Sequence, residues 1–359
     1  AVTTGADGLA KTTVTSTTAG QATVTATAGD SEQTVNVNFT ADGSTAVITD
    51  DNLSVDTGAV ADGGATNAVS AIVTDANGNP VAGQEVTFSA AEGADITPAT
   101  ATSGADGRAT ASVTSTKAGT YAVTAEVNGK GTTKNTAFIA DESTAGIADG
   151  DLTYGGENAV ADGKATDSVT AKVTDANGNP VSGVEVSFSA TGGAKVTVAA
   201  VTTGADGLAK TTVTSTTAGQ ATVTATAGDS EQTVNVNFTA DMATAVATVT
   251  PDTTVADADG ESKITLSMVA KDDNGNLVPG LVLSINASGS AKLAGGGQYI
   301  SVRTNENGQA SVIVTDDVIE PVTVTVKNEL NSSDEGSVVH LNFERSYTNK
   351  RWRYESDAK

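Results

Sequence analysis

The stretch Asp175-Ala176-Asn177-Gly178-Asn179-Pro180-Val181-Ser182-Gly183 decides the fold, because it recurs nearly unchanged one domain length away. Residues 75–83 repeat it with alanine in place of Ser182, and residues 272–280 hold a looser copy, Asp-Asp-Asn-Gly-Asn-Leu-Val-Pro-Gly. A spacing of about 100 residues matches one small domain and is too long for a solenoid repeat. The sequence therefore predicts a tandem array of domains.

The residues on both sides of this turn alternate between polar and apolar, over residues 168–174 before it and 184–189 after it. Alternation with a period of two is the pattern of a half-buried strand. The predicted inward residues are Val169, Ala171 and Val173 before the turn, and Val184, Val186 and Phe188 after it. Because Asn-Gly accepts positive φ and proline fixes its own φ, we predict two antiparallel strands joined by this turn.

Further alternating runs cover residues 209–213, 221–225 and 234–238, with glycine-containing turns between them. The composition is rich in threonine and valine, which favour strands, and only 3% of the residues are aromatic. Short strands with a turn every 8–12 residues or so describe an immunoglobulin-like sandwich of two sheets. We predict an all-β chain of tandem immunoglobulin-like β-sandwich domains; a closed barrel of similar size is the alternative.

The repeats divide the chain. Residues 1–42 are identical to residues 200–241, so we expect them to be the C-terminal half of an immunoglobulin-like domain. Complete domains are predicted at 43–141 and 142–241, and a diverged one at 242–345. An isolated half-sandwich exposes its core face and its strand edges, so we expect another chain to complete residues 1–42.

All six phenylalanines fall at repeated inward positions in this division. They are Phe39, Phe138, Phe238 and Phe343 in the last strand of each copy, and Phe88 and Phe188 in the strand after the Asn-Gly turn. The third copy has Ile285 at that second position. No Gly/Ser-rich or Pro-rich spacer separates the copies, so we expect them to stack end to end as an elongated rod.

The last residues, 346–359, change in character and combine Lys350, Arg351 and Arg353 with Tyr347, Trp352 and Tyr354. This basic and aromatic tail is either a binding tip, the start of a next domain, or a linker end. The chain as a whole is acidic, with a net charge of −24. Such a surface repels phosphate backbones and anionic lipids, so nucleic-acid and peripheral membrane binding are not expected.

Candidate sites are few. The Asp-x-Asn-Gly-Asn turns and residues 257–261 carry oxygen ligands of the kind that calcium prefers, yet tight turns need the same residue types. His340 has no second histidine and no cysteine beside it, and Gly295-Gly296-Gly297 lacks the lysine of a phosphate loop. The carboxylates fall in turns or at outward strand positions, where solvated charge is expected. We assign no catalytic, cofactor-binding, metal-binding or ligand-binding residue, and we expect no cofactor and no enzyme.

Residues 160–163 and 168–188 closely resemble the bacterial immunoglobulin-like group 1 (Big-1) repeat of the intimin/invasin family of outer-membrane adhesins. The resemblance covers residues 1–345. It implies an extracellular passenger displayed on the bacterial surface that attaches to host cells or matrix through a protein or a glycan. The alternative is a carbohydrate- or protein-binding module array of another secreted protein. The scarcity of tyrosine and tryptophan before the tail favours the adhesin.

Overall fold

The computed structural model describes residues 1–345, and within them the regular structure is β-strand apart from three short 3-10 turns. No element in this part of the chain is a helix with the length and apolarity needed to span a membrane. The chain divides into two compact units. The first comprises Ala1–Gly146, Thr174–Val184 and Ala205–Gly207, and the second comprises Ile147–Val173, Glu185–Gly204 and the residues from Leu208 onward. The predicted basic and aromatic tail, 346–359, lies outside the described residues.

The first eleven strands belong to the first unit. They are β1 (Gly20–Ala28), β2 (Ser31–Phe39), β3 (Leu53–Val55), β4 (Ala59–Val60), β5 (Asn67–Ile72), β6 (Glu85–Ala90), β7 (Asp95–Thr97), β8 (Thr100–Thr102), β9 (Arg108–Thr114), β10 (Gly119–Val127) and β11 (Lys130–Ile139). The 3-10 turns lie at Gly43–Thr45, Asp50–Asn52 and Glu142–Thr144. Strands β3-β5-β9-β7 form one sheet, β4-β11-β10-β6-β8 form a second, and β1 pairs only with β2.

The two larger sheets of the first unit enclose one apolar core. Their inward positions alternate as predicted, and Val69, Val86, Phe88, Val113 and Phe138 are buried in one cluster. The aromatic edge of Tyr121 meets Phe138 with ring centroids 6.2 Å apart. Two separate, mainly antiparallel sheets that pack face to face over a core form a sandwich. The alternative of a closed barrel is therefore wrong.

The remaining strands follow the same plan. They are β12 (Gly146–Tyr154), β13 (Asp167–Thr174), β14 (Glu185–Ala190), β15 (Ala194–Val196), β16 (Ala200–Thr202), β17 (Leu208–Ser215), β18 (Gly219–Ala227), β19 (Ser230–Phe238), β20 (Val246–Pro251), β21 (Val255–Asp257), β22 (Ile264–Lys271), β23 (Val282–Ala287), β24 (Lys292–Leu293), β25 (Tyr299–Arg303), β26 (Gln309–Thr315), β27 (Pro321–Asn328) and β28 (Ser337–Glu344). The sheets of the second unit are β12-β13-β17-β15 with β16-β14-β18-β19, and β20-β22-β26-β24 with β21-β28-β27-β23-β25. Phe188, Phe238, Ile285 and Phe343 are buried, which confirms the predicted all-β series of immunoglobulin-like sandwiches.

The two strands predicted to be joined by the Asn-Gly turn do not lie side by side in one sheet. In the first unit, β5 lies in one sheet and β6 in the other, so the chain between them crosses the sandwich. The two strands do not pair with each other; an isolated bridge between Thr74 and Pro80 spans the turn, after which the buried Val81 enters the core. The connection is long enough to change sheets, whereas a two-residue loop would have forced strand pairing. The predicted inward residue Val184 is likewise only half-buried and precedes its strand.

Residues 1–42 differ in structure from their identical copy. In the second unit, residues Leu208–Ser215 form β17 because β13 pairs with them. The same residues at 9–16 form no strand, and no described strand pairs with them. Phe238 and Val223 are fully buried, whereas their equivalents Phe39 and Val24 are only half-buried. The predicted completion of this half by another chain stays a prediction.

Candidate functional site at the Asp-x-Asn-Gly-Asn turns

The first turn is organised by the carboxylate of Asp75. Its Oδ1 accepts the N–H groups of Asn77 and Asn79, each at 2.9 Å. Its Oδ2 accepts the N–H of Asp42 at 3.1 Å and the side-chain Nδ2 of Asn79 at 2.9 Å. Gly78 has a φ of +84°, which a residue with a Cβ rarely adopts. The carboxylate therefore shapes the turn and also orients the Asn79 side chain.

The second and third turns repeat this geometry. Oδ1 of Asp175 accepts the N–H groups of Asn177 and Asn179 at 2.9 Å, and its Oδ2 accepts Nδ2 of Asn179 at 2.8 Å. In the third copy the corresponding distances from Asp272 are 3.0 Å and 2.8 Å to the main chain and 2.9 Å to Nδ2 of Asn276. The same carboxylate contacts therefore shape all three turns.

The pKa values follow from these contacts. Hydrogen bonds, first that from the Asn79 side chain, lower the pKa of Asp75 from 3.8 to about 2. Burial raises the pKa of Asp175, but the hydrogen bonds from Asn179, Asp141 and Asn177 outweigh that effect and the pKa is lowered. Both groups are therefore charged at neutral pH and serve as hydrogen-bond acceptors.

The second asparagine of each turn reaches out of its own predicted domain to a turn of the preceding one. Oδ1 of Asn179 accepts the N–H of Ala118 at 2.9 Å, and its Nδ2 donates to the carbonyl of Thr116 at 3.1 Å. Asn276 makes the same pair of bonds with Ala218 and Thr216, at 2.9 Å and 3.0 Å. Asn79 makes them with Ala19 and Thr17, both at 2.9 Å. We call each such asparagine, with its two main-chain partners and its aspartate, the Asn clamp.

The first asparagine of the turn adds a third bond in two of the copies. Nδ2 of Asn177 donates to the carbonyl of Ala61 at 3.0 Å, and Nδ2 of Asn274 donates to the carbonyl of Ala161 at 2.9 Å. Asn77 makes no side-chain bond of this kind among residues 1–345. In the second and third turns, two asparagine side chains of one predicted domain therefore bond three main-chain groups of the preceding domain. An amide that accepts and donates at once fixes orientation as well as distance.

These turns are poor calcium sites. Both carboxylate oxygens of each aspartate already accept hydrogen bonds, which an ion would have to displace. No three or more aspartate, glutamate or histidine side chains within residues 1–345 converge as a metal site. The expectation that the carboxylates are solvated is wrong for several of them: Asp75, Asp175 and Asp272 are each no more than 6% exposed, and Asp167 and Asp316 are more deeply buried still.

One oxygen of the buried Asp167 carboxylate has no hydrogen-bond partner among the described residues. Asp167 accepts the N–H of Ala159 through Oδ2 at 3.2 Å, but its Oδ1 has no hydrogen bond. The equivalent residue of the first unit is Asn67, whose Nδ2 donates to Oγ1 of Thr136 at 2.8 Å and to the carbonyl of Ala137 at 3.0 Å. The Asn67 side chain donates hydrogen bonds there, whereas the Asp167 carboxylate at the equivalent position can only accept them.

The other candidate residues do not form sites. His340 is exposed on β28, where its Nδ1 lies 3.4 Å from Oγ1 of Thr323. Asp259, within 257–261, accepts the N–H groups of Glu261 and Ser262 and so closes a turn. Gly296 and Gly297 belong to the tight turn after Leu293, with which they exchange main-chain bonds. Catalysis needs converging acid, base or nucleophile groups, and these residues are scattered.

The Asn clamps are the functional residues that the sequence analysis missed. It considered both asparagines as turn formers or as oxygen ligands for calcium, and it predicted no bond from them to a preceding domain. A signal was present, however: the diverged third copy changes the proline, yet keeps Asp272, Asn274 and Asn276 in register. Turn formation alone does not require an asparagine at the last of these positions, where φ is not positive.

Comparison with known proteins agrees with this architecture. The family model "Bacterial Ig-like domain (group 1)" matches residues 50–139, 149–239 and 246–343. The Escherichia coli K12 protein "Inverse autotransporter adhesin YeeJ" is 40% identical over 205 residues, which are 53% of this chain and 8% of that protein. The chain thus spans less than a tenth of this curated relative.

Solved structures share the fold. The Escherichia coli adhesin FdeC superposes with a TM-score of 0.59 at 21% identity, covering 85% of this chain and all of the FdeC chain. Yersinia pseudotuberculosis InvD gives a TM-score of 0.54 at 21% identity, covering 83% of this chain and all of the InvD chain. The chain belongs to the bacterial Ig-like domain (group 1) family and carries the repeats of the intimin/invasin family of adhesins.

Proposed function

We propose that the chain is an extracellular passenger segment of a bacterial surface adhesin that attaches the cell to host cells or matrix. The observation that carries the proposal is the repeated Asn clamp, which joins successive sandwiches without a flexible spacer. The relationship to YeeJ supports a location on the outer membrane and cell surface. The partner is a host surface or matrix protein or glycan. The acidic charge disfavours nucleic acid.

The domain division 43–141, 142–241 and 242–345, with a C-terminal half-domain at 1–42, is part of this proposal. The three family matches fall inside these boundaries, which supports the division. Each Asn clamp lies at one of the proposed boundaries. Because the family is one of structural and adhesive domains, we propose a role without enzymatic activity.

The test is adherence of bacteria that carry the native protein. In one strain, the codons for residues 43–345 are deleted, and in a second they are replaced by the same number of unrelated immunoglobulin-like repeats. Loss of host-cell adherence on deletion supports the proposal. If adherence recovers in the replacement strain, the segment acts as a spacer that displays other parts of the protein to the host. Adherence that is unchanged by the deletion would refute the proposal. Binding of the purified chain to soluble polysaccharide alone would favour the secreted module array.

A further inference from the structure

The outer turn of the third sandwich, residues 316–320, has a chemistry that the other copies lack. Asp316 stands at the place of Ser115 and Ser215, because Gly260 donates its N–H to the Asp316 carbonyl as Gly63 and Gly163 do to those serines. Strand pairing places Ser290 at the position of Gly93, since Lys292 pairs with Thr315 as Asp95 pairs with Thr114. Glu320 replaces Gly119 and Gly219 and lies immediately before β27.

In the first copy these positions are neutral and fully bonded. The hydroxyl of Ser115 donates to the carbonyl of Gly93 at 2.7 Å and lies 2.9 Å from the carbonyl of Lys117. That copy needs no charge to hold its turn. The third copy therefore replaces a neutral hydrogen-bond network with two carboxylates at positions that touch.

The two carboxylates of the third copy meet around one hydroxyl group. Oγ of Ser290 lies 2.7 Å from Oδ1 of Asp316 and 2.8 Å from Oε1 of Glu320. A hydroxyl has a single hydrogen, so it can donate fully to only one of these oxygens. The N–H of Ser290 also donates to Oε1 of Glu320, and these bonds from Ser290 lower the pKa of Glu320.

The remaining oxygen of Asp316 is buried and unpaired among residues 1–345. Asp316 is only 1% exposed, and its Oδ2 accepts no hydrogen bond in the part of the chain that the structure describes. The ammonium group of Lys292, two residues after Ser290, pairs with the adjacent Asp317 at 3.7 Å. A buried charged oxygen without a partner is strongly unfavourable unless a cation or a proton supplies one.

We propose that Asp316, Ser290 and Glu320 form a calcium site at the outer turn of the third sandwich. The ligands are Oδ2 of Asp316, the Glu320 carboxylate, the Ser290 hydroxyl and water, a set of hard oxygens of irregular geometry that calcium accepts more readily than magnesium. Two carboxylates, without a third, give a dissociation constant on the order of 10⁻⁴–10⁻³ M, the range of extracellular modules. Bound calcium fixes the turn that replaces the Ser-Thr-Thr-Ala-Gly turn of the second copy.

The test is calorimetric titration of calcium chloride into the full chain, after chelator treatment and near neutral pH, with magnesium chloride as the comparison. The wild-type chain is expected to bind one calcium ion saturably and to melt at a higher temperature with calcium. Asp316→Ser, which restores the residue of the other copies, and Glu320→Gln are each expected to weaken binding about tenfold or more. The matched control is Asp317→Asn, which removes an adjacent exposed carboxylate and should leave binding unchanged.

Two results would overturn the site. One is the absence of saturable binding in the wild-type chain, which would indicate that a shared proton, and not calcium, holds the Asp316 and Glu320 carboxylates together. The other is equal binding by the wild type and by both site variants, which would assign the ion to a different place. If Asp316→Ser does not fold, Glu320→Gln decides alone, because Glu320 is only half-buried and its amide keeps the size of the side chain.

Discussion

Replacing Asn179 by alanine should open the junction that it clamps. The substitution removes the bonds to the Ala118 N–H and the Thr116 carbonyl, and it leaves Oδ2 of Asp175 without its side-chain donor. Two neutral hydrogen bonds contribute about 1 kcal/mol each, and a bond to a charged acceptor contributes about 1.5–3 kcal/mol. Asn179 is 7% exposed, so water replaces these bonds poorly. We expect a local cost of about 3.5–5 kcal/mol.

Amide hydrogen exchange in the full chain measures this cost at one atom. A loss of that size corresponds to an exchange rate at Ala118 about 10³-fold higher, because each factor of ten is about 1.4 kcal/mol. Two control variants also replace an asparagine of such a turn by alanine. Asn177→Ala removes a single bond, to Ala61, and should leave Ala118 protected, whereas Asn77→Ala removes no bond to a preceding sandwich. Unchanged exchange at Ala118 in Asn179→Ala would show that apolar packing, not the clamp, holds the junction.

Three further outcomes follow from the structure. The folded pKa of Asp75 is depressed, so its stabilisation is fully present above pH 3.8 and is lost as pH falls through about 2; carboxyl NMR titration of the chain and of an Asp75→Asn variant checks this. Asp167→Asn should stabilise its sandwich by about 1 kcal/mol in calorimetry, and Asn67→Asp should destabilise its own sandwich by a similar amount. If Asp167→Asn brought no gain in stability, the Asp167 carboxylate would already have a hydrogen-bond donor. Phe238→Ala should cost about 3–5 kcal/mol and Phe39→Ala far less, although their neighbours in sequence are identical; equal losses in denaturant unfolding would contradict the difference in burial.

The strands and their inward faces could be predicted because alternation is a local property. Val169, Ala171 and Val173 were predicted to face inward, and all three are fully buried. The same local pattern could not say which sheet each strand joins. Two runs on either side of an Asn-Gly turn resemble a hairpin, and only packing over the core at Val81 moves the second run to the opposite sheet.

Residues 1–42 give the clearest limit to prediction from sequence. They carry the same residues as 200–241, so every local preference for strand is the same. Yet β17 has no counterpart at 9–16, because pairing with β13 contributes more than the propensity of threonine and valine. The partner strand, and not the sequence of the segment, decides the outcome. The Asn clamps escaped prediction for a related reason, since their main-chain partners lie some 60 residues earlier in the chain.

The third copy separates what the turn needs from what the junction needs. Pro180 is replaced there by Leu277, whereas both asparagines and the aspartate are kept. Pro180 is exposed, so Pro180→Leu should change stability by no more than about 0.5 kcal/mol and should leave Ala118 protected from exchange. The paired substitution Asn179→Asp keeps the size of the side chain but removes the donor to Thr116 and sets a carboxylate against Asp175. Like charges at that distance repel, so this variant should expose Ala118 at least as much as alanine does. If Pro180→Leu proved the more damaging change, the turn and not the clamp would be what the repeats preserve.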